Sequence, residues 1–269
     1  MGGVGEKDVD GLVSCLMVTR LSPARRQLAR AAVAAFEAQT YPRRELVVVV
    51  DASADAEGRR ELERIVGGAT AAPIRVVEAP GAPPLGALRN LAVEAAAGAC
   101  VCQWDDDDIY HPERLSRQLT ALRGGGHEAV GLQDVLQYFP ASRTLYWTNW
   151  RATQAGVHPG TVLMRRGAAT YPETGPEATL GEDNVLARAL RARGALASLA
   201  GAPHLFAYVS HGGNSWDEGH HRMLVETLAI SRGLLKRQEE ALRAGVAALD
   251  LGPRPISVCG ANGPAFEIA

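Results

Sequence analysis

The chain has 269 residues, of which 46% are hydrophobic and 22% charged, and its formal net charge is -2. This composition is typical of a globular protein with enough apolar residues for a sizeable core. The near-neutral charge excludes a global basic field for nucleic acid, and no apolar run reaches the roughly 18 residues of a membrane span. Residues 1–10 lack an apolar signal core, so we expect a cytoplasmic protein, with peripheral membrane association left open.

The first 110 residues alternate between apolar runs and helical patterns. Strands are predicted at residues 12–18, 45–50, 74–77 and 99–104, and helices at residues 22–39, 56–66 and 85–97. The run at residues 45–50 is nearly all valine after its glutamate, which is typical of a parallel strand buried on both faces. The alternation predicts an α/β fold with a doubly wound, mostly parallel central sheet and helices on both of its faces.

The second half of the chain has a less regular pattern. Strands are predicted at residues 129–137, 144–149, 161–164 and 205–209, and helices at residues 181–193 and 220–242. A glycine-rich stretch at residues 123–128 separates the two halves. We expect one domain over residues 1–250, with halves at about 11–123 and 128–250, followed by an irregular tail at residues 251–269 that contains three prolines.

Polar side chains follow three of the predicted strands. Thr19 and Arg20 follow the first strand, Asp51 follows the second, and four consecutive aspartates, Asp105 to Asp108, follow the fourth. Ligands of open α/β sheets bind at the carboxyl ends of the strands, so these groups are expected to converge on one site. Adjacent buried carboxylates repel one another, and Mg²⁺ or Mn²⁺ would offset that cost. The alternative is a solvated acidic turn before the helix that starts near Pro112.

Several motifs occur in a characteristic order. They are VSCLMVTR at residues 13–20, AQTYP at 38–42, ELVVVVD at 45–51, LRN at 88–90 followed by Ala97-Gly98, WDDDDIYHP at 104–112 and GEDN at 181–184. This ordered set resembles family 2 glycosyltransferases, with WDDDD similar to the metal-binding DxD segment and GEDN similar to the catalytic "ED" motif. The resemblance implies a GT-A fold, a nucleotide-sugar donor (a UDP-sugar above all), Mn²⁺ or Mg²⁺, and an inverting, hexosyltransferase-type reaction.

The resemblance also implies roles for individual residues in donor and metal binding. The donor-binding residues would be Thr19, Arg20, Asp51, Arg89, Asp105 and Asp106, and the metal ligands would be Asp107, Asp105 and His211. Asp51 would hydrogen-bond the base, or else only cap a helix. Arg89 would pair with Asp51 or approach the diphosphate, and Asp105 or Asp106 would face the ribose or metal-bound waters. His211 could instead be an exposed loop histidine, and Asp108 could merely cap a turn.

Asp183 is the predicted general base, assisted by Glu182, which could also hold the acceptor. An inverting transfer needs one carboxylate to take the proton of the acceptor hydroxyl. The alternative is that both carboxylates only stabilise a helix N-terminus, by about 0.3–1 kcal/mol. Trp147, Trp150 and His158 lie between the two motif blocks, where they would either stack on an acceptor or pack in the core.

The implied halves are a nucleotide-binding half and an acceptor or catalytic half. The expected acceptor is a glycan, a lipid-linked intermediate, a natural product or a protein, and no nucleic-acid partner is expected. A nucleotidyltransferase is an alternative, but its glycine-rich phosphate loop is missing at residues 21–26. A second alternative is a catalytically inactive module that binds nucleotide sugars.

Overall fold

The computed structural model describes residues 11–23 and 25–269 and shows a mixed α/β fold with two sheets. The strands are β1 (Val13–Thr19), β2 (Arg44–Val50), β3 (Ile74–Glu78), β4 (Cys100–Gln103), β5 (Ile109–Tyr110), β6 (Ala129–Leu132), β7 (Asp134–Phe139), β8 (Thr144–Asn149), β9 (Leu163–Arg165), β10 (Leu196–Leu199), β11 (Phe206–Val209), β12 (Ile256–Gly260) and β13 (Gly263–Ile268). The helices are α1 (Arg26–Glu37), α2 (Ala56–Gly67), α3 (Leu85–Ala95), α4 (Arg114–Gly124), α5 (Glu182–Ala192), α6 (Glu218–Leu228), α7 (Arg232–Arg237) and α8 (Glu239–Val246).

The larger sheet has seven strands in the order β10-β6-β9-β4-β1-β2-β3. All neighbours in it run parallel except β9, which is antiparallel to β4 and β6. Every residue of β2 is buried, because two separate hydrophobic clusters cover the two faces of this sheet. The predicted α/β class and mostly parallel central sheet are confirmed.

The smaller sheet has six strands in the order β13-β12-β8-β7-β11-β5. The single strand predicted at residues 129–137 is wrong, because β6 belongs to the larger sheet and β7 to the smaller one. Gln133 lies between them, and its backbone bonds to both Leu199 and Trp150. Both strands are fully buried, so burial along residues 129–139 does not mark the change of sheet.

The long helix predicted at residues 220–242 is also wrong, since the segment contains most of α6, all of α7 and the first half of α8. Ala229 adopts an extended conformation and bridges to Thr148 on β8, and Ile230 N–H donates to the carbonyl oxygen of Trp147. Ser231 then caps α7 by accepting from the N–H of Leu234. Pairing with β8 therefore interrupts a stretch whose local pattern is helical.

The prediction of an irregular tail at residues 251–269 is wrong. Strands β12 and β13 form a hairpin there, and β12 pairs in parallel with β8. Ile256, Val258 and Ile268 pack in the third hydrophobic cluster against α7 and α8 residues such as Leu235 and Leu242. The prolines are tolerated because they fall before or near the ends of the strands.

The first helix starts later than predicted. The segment after β1 forms a turn in which Arg25 N–H donates to the carbonyl oxygen of Ser22, and α1 begins only at Arg26. The Ser22 hydroxyl therefore does not cap this helix, whose first turn has no side-chain cap. This turn carries Arg20 and Arg25 to the carboxyl edge of the larger sheet. Within residues 11–23 and 25–269, no helix is both long enough and apolar enough to cross a bilayer.

Candidate active site

A cleft of about 570 Å³ opens at the carboxyl ends of β1, β2 and β4. Because these strands are parallel neighbours, the residues that follow them meet at one edge, as expected for an open α/β sheet. All of the predicted donor-site residues, from Thr19 to Asp106, line this cleft. Asp107, Glu182 and Asp183 also line it, so one cavity contains both motif blocks, and His211 bonds to Asp107 at its edge.

Arg89 joins the two motif blocks through a buried ion-pair network. Its Nε donates to Glu182 Oε1 at 2.7 Å, and its Nη1 donates to Asp105 Oδ1 at 2.9 Å. Asp105 also accepts from Gln103 Nε2 at 2.8 Å. Burial alone would lower the pKa of Arg89, but the charges of Asp105 and Glu182 hold it well above the usual value. Arg89 therefore stays charged, and it pairs with these two carboxylates and not with Asp51.

Asp51, at the end of β2, accepts at Oδ1 from Ser53 N–H at 2.8 Å and at Oδ2 from Arg20 Nε at 3.2 Å. Burial acts to raise its pKa, but the bonds from Ser53 and the charge of Arg20 leave it below the ordinary value. The carboxylate is thus ionised and faces the cleft. The alternative role of Asp51 as a helix cap is wrong, because Asp55 caps α2 by accepting from Gly58 N–H.

Asp106 lies beneath the turn that follows β1. It accepts from the Thr19 hydroxyl at 2.5 Å and from Arg25 Nη1 at 2.7 Å. Burial, together with the charge of Asp107, raises the pKa of Asp106 to about 7, against the opposing charge of Arg25. Thr19 therefore positions this carboxyl group.

Asp107 and His211 meet although they are 104 positions apart. His211 Nε2 lies 3.1 Å from Asp107 Oδ2, and the same oxygen accepts from Arg25 Nη2 at 2.5 Å. Burial acts to raise the pKa of Asp107, but the bond from His211 and the charge of Arg25 bring it below the ordinary value. Gly213 N–H donates to His211 Nδ1, which places the ring proton of a neutral imidazole on Nε2, facing Asp107.

Asp108 is fully buried and does not cap a turn. Its Oδ1 accepts from the N–H of Val209 at 3.0 Å, which ties the aspartate run to β11. Burial and the charges of Asp107 and Asp105 raise the pKa of Asp108 well above its ordinary value. Its contribution is to hold the end of β11, and with it the loop that carries His211.

Asp183 occupies the first turn of α5, on the wall of the cleft formed by residues 180–184. Gly181 precedes the helix with φ +88°, a left-handed conformation that suits glycine. Burial, followed by the charge of Glu182, raises the pKa of Asp183 to about 7, although Arg89 opposes this shift. Apart from the N–H of Asn184, its carboxylate has no hydrogen-bond donor within the described structure, so it is available to an incoming hydroxyl. Glu182, by contrast, is buried and paired with Arg89.

The three aromatic residues singled out from the sequence separate in the structure. Trp147 is distant from the cleft, packs in the core of the smaller sheet and donates from Nε1 to Asp134 at 2.8 Å. Trp150 and His158 line the cleft, with their ring centroids 4.6 Å apart. His158 is buried, and burial lowers its pKa to about 3, so its ring is neutral. The acceptor interpretation thus stays open for Trp150 and His158 and is wrong for Trp147.

Several residues of the cleft were not among the site residues predicted from the sequence, including Arg25, Tyr208, Trp216 and His220. Arg25 gave a weak signal, as a cation in the loop after the first strand. Tyr208, Trp216 and His220 gave none, because no motif marks them and only folding brings them into the cleft.

The donor groups of Asp107 and His211 fit a divalent cation in part. A carboxylate oxygen and an imidazole nitrogen 3.1 Å apart are chemically suitable ligands. Over the described ranges, no three His, Cys, Asp or Glu side chains are arranged to hold a metal ion by themselves. Mg²⁺ and Mn²⁺ sites often use only one or two carboxylates and complete their shell with water and substrate phosphates. Ligation by His211 would require its proton to move from Nε2 to Nδ1.

Several solved structures have an overall fold similar to that of this chain. TarS 1–349 from S. aureus has a TM-score of 0.55 and 14% identity, over 87% of this chain and 74% of that one. TarS 1–349 in complex with UDP-GlcNAc gives a TM-score of 0.56 and 14% identity, over 88% of this chain and 67% of that one. The mannosyltransferase PcManGT from Pyrobaculum calidifontis, in complex with GDP-Man and Mn²⁺, has a TM-score of 0.59 and 16% identity, over 87% of this chain and 64% of that one.

The fold is therefore the GT-A fold of these glycosyltransferases. A comparison with curated protein sequences finds no significant match. The sequence profile of glycosyl transferase family 2 matches residues 15–174, which is more than half of the chain and includes β1, β2, β4 and the aspartate run. The chain belongs to glycosyl transferase family 2 and is a glycosyltransferase.

Proposed function

We propose that this glycosyltransferase is metal-dependent and inverting, and that it transfers a sugar from a UDP-sugar to an acceptor hydroxyl. The observation that carries the proposal is the shared cleft, in which Asp183 and the aspartate run lie on facing elements connected by Arg89. The TarS and PcManGT structures, with UDP, UDP-GlcNAc or GDP-Man bound, support a nucleoside-diphosphate sugar as the donor class.

The donor is proposed to lie along the carboxyl ends of β1, β2 and β4. Asp51 is ionised and is held by Ser53, so it can accept hydrogen bonds from the N–H groups of a base such as uracil. Arg20 and Arg25 are the cations of the turn above the cleft and are suited to the negative diphosphate. Asp105 and Asp106 are proposed to contact the ribose or metal-bound waters, while Thr19 positions Asp106.

Asp107 is proposed as the main protein ligand of Mn²⁺ or Mg²⁺, with His211 as a second ligand after its proton has moved to Nδ1. A cation bound there would act as a Lewis acid on the diphosphate leaving group. Asp105 is a weaker candidate ligand, because it is already paired with Arg89 and Gln103. In the described structure Arg25 neutralises part of the charge of Asp107, and it is expected to turn toward the diphosphate when a cation binds.

Asp183 is proposed to act as the general base. It takes the proton of the acceptor hydroxyl while the hydroxyl oxygen attacks the anomeric carbon, and the bond from that carbon to the nucleoside diphosphate breaks on the opposite face. This single displacement inverts the anomeric configuration. Glu182 is proposed to position Arg89 and to raise the basicity of Asp183 by its charge, without itself moving a proton.

The cytoplasmic location stays a prediction.

A thermal-shift screen with and without Mn²⁺ tests donor and metal together. UDP or a UDP-sugar with Mn²⁺ at 100 times its Kd should stabilise the protein by about 2.7 kcal/mol, or about 5–10 °C in Tm. Asp107→Asn should lose the Mn²⁺-dependent part of the shift, since it removes the anionic ligand but keeps the side-chain shape. Asp217→Asn, an exposed cap of α6, is the matched control and should respond like the wild type. No shift with any nucleoside diphosphate contradicts the donor assignment, and an unchanged shift in Asp107→Asn contradicts the metal assignment.

A further inference from the structure

Two stacked aromatic rings lie at the mouth of the cleft and have no role in donor binding. The ring centroids of Trp216 and His220 are 4.3 Å apart, with an interplanar angle of 19°. Both residues line the cleft. Their parallel arrangement presents a flat aromatic surface, which we call the aromatic platform.

The platform is held from both sides. His221 Nε2 lies 3.2 Å from the carbonyl oxygen of Trp216, and the buried His221 ring packs on Tyr208. Asp217 caps α6 by accepting from the N–H of His220 at 2.8 Å, which fixes the first turn of this helix. A surface whose residues are ordered before binding loses less entropy when a ligand covers it.

The platform lies beside the proposed base. A Cβ atom built on Gly181 would be 3.9 Å from Cζ2 of Trp216, and Gly181 is the residue that starts α5 just before Glu182 and Asp183. A group that covers the indole therefore lies near the start of α5, which carries Asp183 in its first turn. The anionic and cationic groups that suit a nucleotide lie around the aspartate run, so the platform belongs to the acceptor side of the cleft.

The rim around the platform includes an exposed apolar side chain as well as charged ones. Across the described residues, the exposed large hydrophobic side chains are Val76, Trp216 and Met223, with exposed fractions of 42%, 39% and 50%. Met223 follows His220 by three positions, on the same side of α6, and Leu224 lines the cleft. Two of the three exposed hydrophobic residues thus lie at one rim, and exposed apolar patches of this kind mark ligand or partner sites.

We propose that the aromatic platform binds a flat apolar group, such as an aromatic ring, that the acceptor carries next to its reacting hydroxyl. The inference rests on the proposed function, because it assigns the acceptor side of the same cleft. Met223 and Leu224 offer apolar contacts beside the indole, which suit an apolar aglycone. Stacking on the indole then holds the hydroxyl within reach of Asp183.

The test compares phenyl glycosides with methyl glycosides of the same sugars, which differ only in the apolar group. Binding to the full chain is measured by ligand-observed NMR in the presence of UDP and Mn²⁺. The wild type should bind the phenyl glycoside at least tenfold more tightly than its methyl partner. Trp216→Ala should abolish this preference, whereas Trp216→Phe, which keeps a flat ring, should retain most of it. Val76→Ala, an equally exposed apolar residue on β3, is the matched control and should behave like the wild type.

Two results overturn the platform: equal binding of phenyl and methyl glycosides by the wild type, or a phenyl preference that survives in Trp216→Ala. If Trp216→Ala does not fold, Trp216→Leu is used in its place, because leucine is apolar but not flat. A phenyl preference in Trp216→Leu equal to that in Trp216→Phe then overturns the platform. UDP binding is recorded on the same samples. Loss of UDP binding in every variant contradicts the proposed function, whereas intact UDP binding without a Trp216-dependent phenyl preference contradicts the platform alone.

Discussion

Asp183→Asn should have opposite effects on stability and on activity. The wild-type carboxyl has a pKa of about 7 in the folded protein, because burial and the nearby charge of Glu182 disfavour its ionised form more than Arg89 favours it. The ordinary value is 3.8. Asparagine has nearly the same shape, keeps an oxygen that can accept from Asn184 N–H, and does not titrate.

The sign of the stability change follows from proton linkage. Between pH 3.8 and about 7 the native state binds more protons at Asp183 than the unfolded state does, so the wild type loses stability as pH rises through this window. A shift of about three units at 1.36 kcal/mol each sets a ceiling of about 4 kcal/mol above pH 7. Because solvent reaches this half-buried carboxyl and screens its charge, we expect about 2 kcal/mol, or about 4–8 °C in Tm.

The expected change in transfer rate also follows from the raised pKa of Asp183. If Asp183 is the base, the transfer rate of the wild type should rise about tenfold per pH unit below pH 7 and level off above it. Asp183→Asn should lower kcat by about 10²- to 10⁴-fold and remove this pH dependence, while UDP binding is kept.

The assay combines thermal unfolding at pH 4 and pH 8 with transfer rates across the same range. The stabilisation by Asp183→Asn should be near zero at pH 4 and full at pH 8. Asp55→Asn is the matched control. Asp55 caps α2 and its pKa lies below the ordinary value, so removing its charge should not stabilise the protein. Equal stabilisation at both pH values refutes the electrostatic reasoning, and retained transfer refutes the assignment of the base.

Two further predictions concern the architecture that supports the site. Arg89→Met should destabilise the protein by about 3–5 kcal/mol in urea unfolding, since Asp105 and Glu182 would lose their buried cation. Arg89→Lys, which can replace only one of the two contacts, should be intermediate, and wild-type stability of Arg89→Met would contradict the network. Deleting residues 251–269 should cost about 5 kcal/mol or more, since the hairpin buries several aliphatic side chains against β8 and the smaller-sheet core. A truncated chain as stable as the full chain would show that this hairpin is dispensable.

Local chemistry explains why the first half was predictable. The strand at residues 44–50 is apolar from Leu46 onward because both of its faces are covered, and Asp51 marks the point where the chain reaches the sheet edge. Parallel pairing of β1 with β2 and β4 then requires the groups that follow these strands to meet. The convergence of Thr19, Asp51 and Asp105 could therefore be predicted before any contact was known.

The second half was less predictable because its structure depends on distant partners. The buried segment at residues 129–137 has the same pattern whether it remains in one sheet or passes into another. The break after α6 arises from pairing of Ala229 with Thr148, about eighty residues away in sequence. The tail contains alternating apolar residues, but its three prolines concealed a hairpin that forms only because β8 offers a free edge.

The α/β class, the parallel half and the kinds of side chain in the site follow from the order of residues alone, because apolar runs and charged groups are visible in the sequence. Which groups pair with one another depends on the folded structure. Arg89 contacts Asp105 and Glu182 and not Asp51, and Arg25 lies on Asp106 and Asp107. Likewise, Trp216 is brought beside Gly181 only by the fold. Such pairings depend on distances between elements far apart in the chain, and no local pattern encodes those distances.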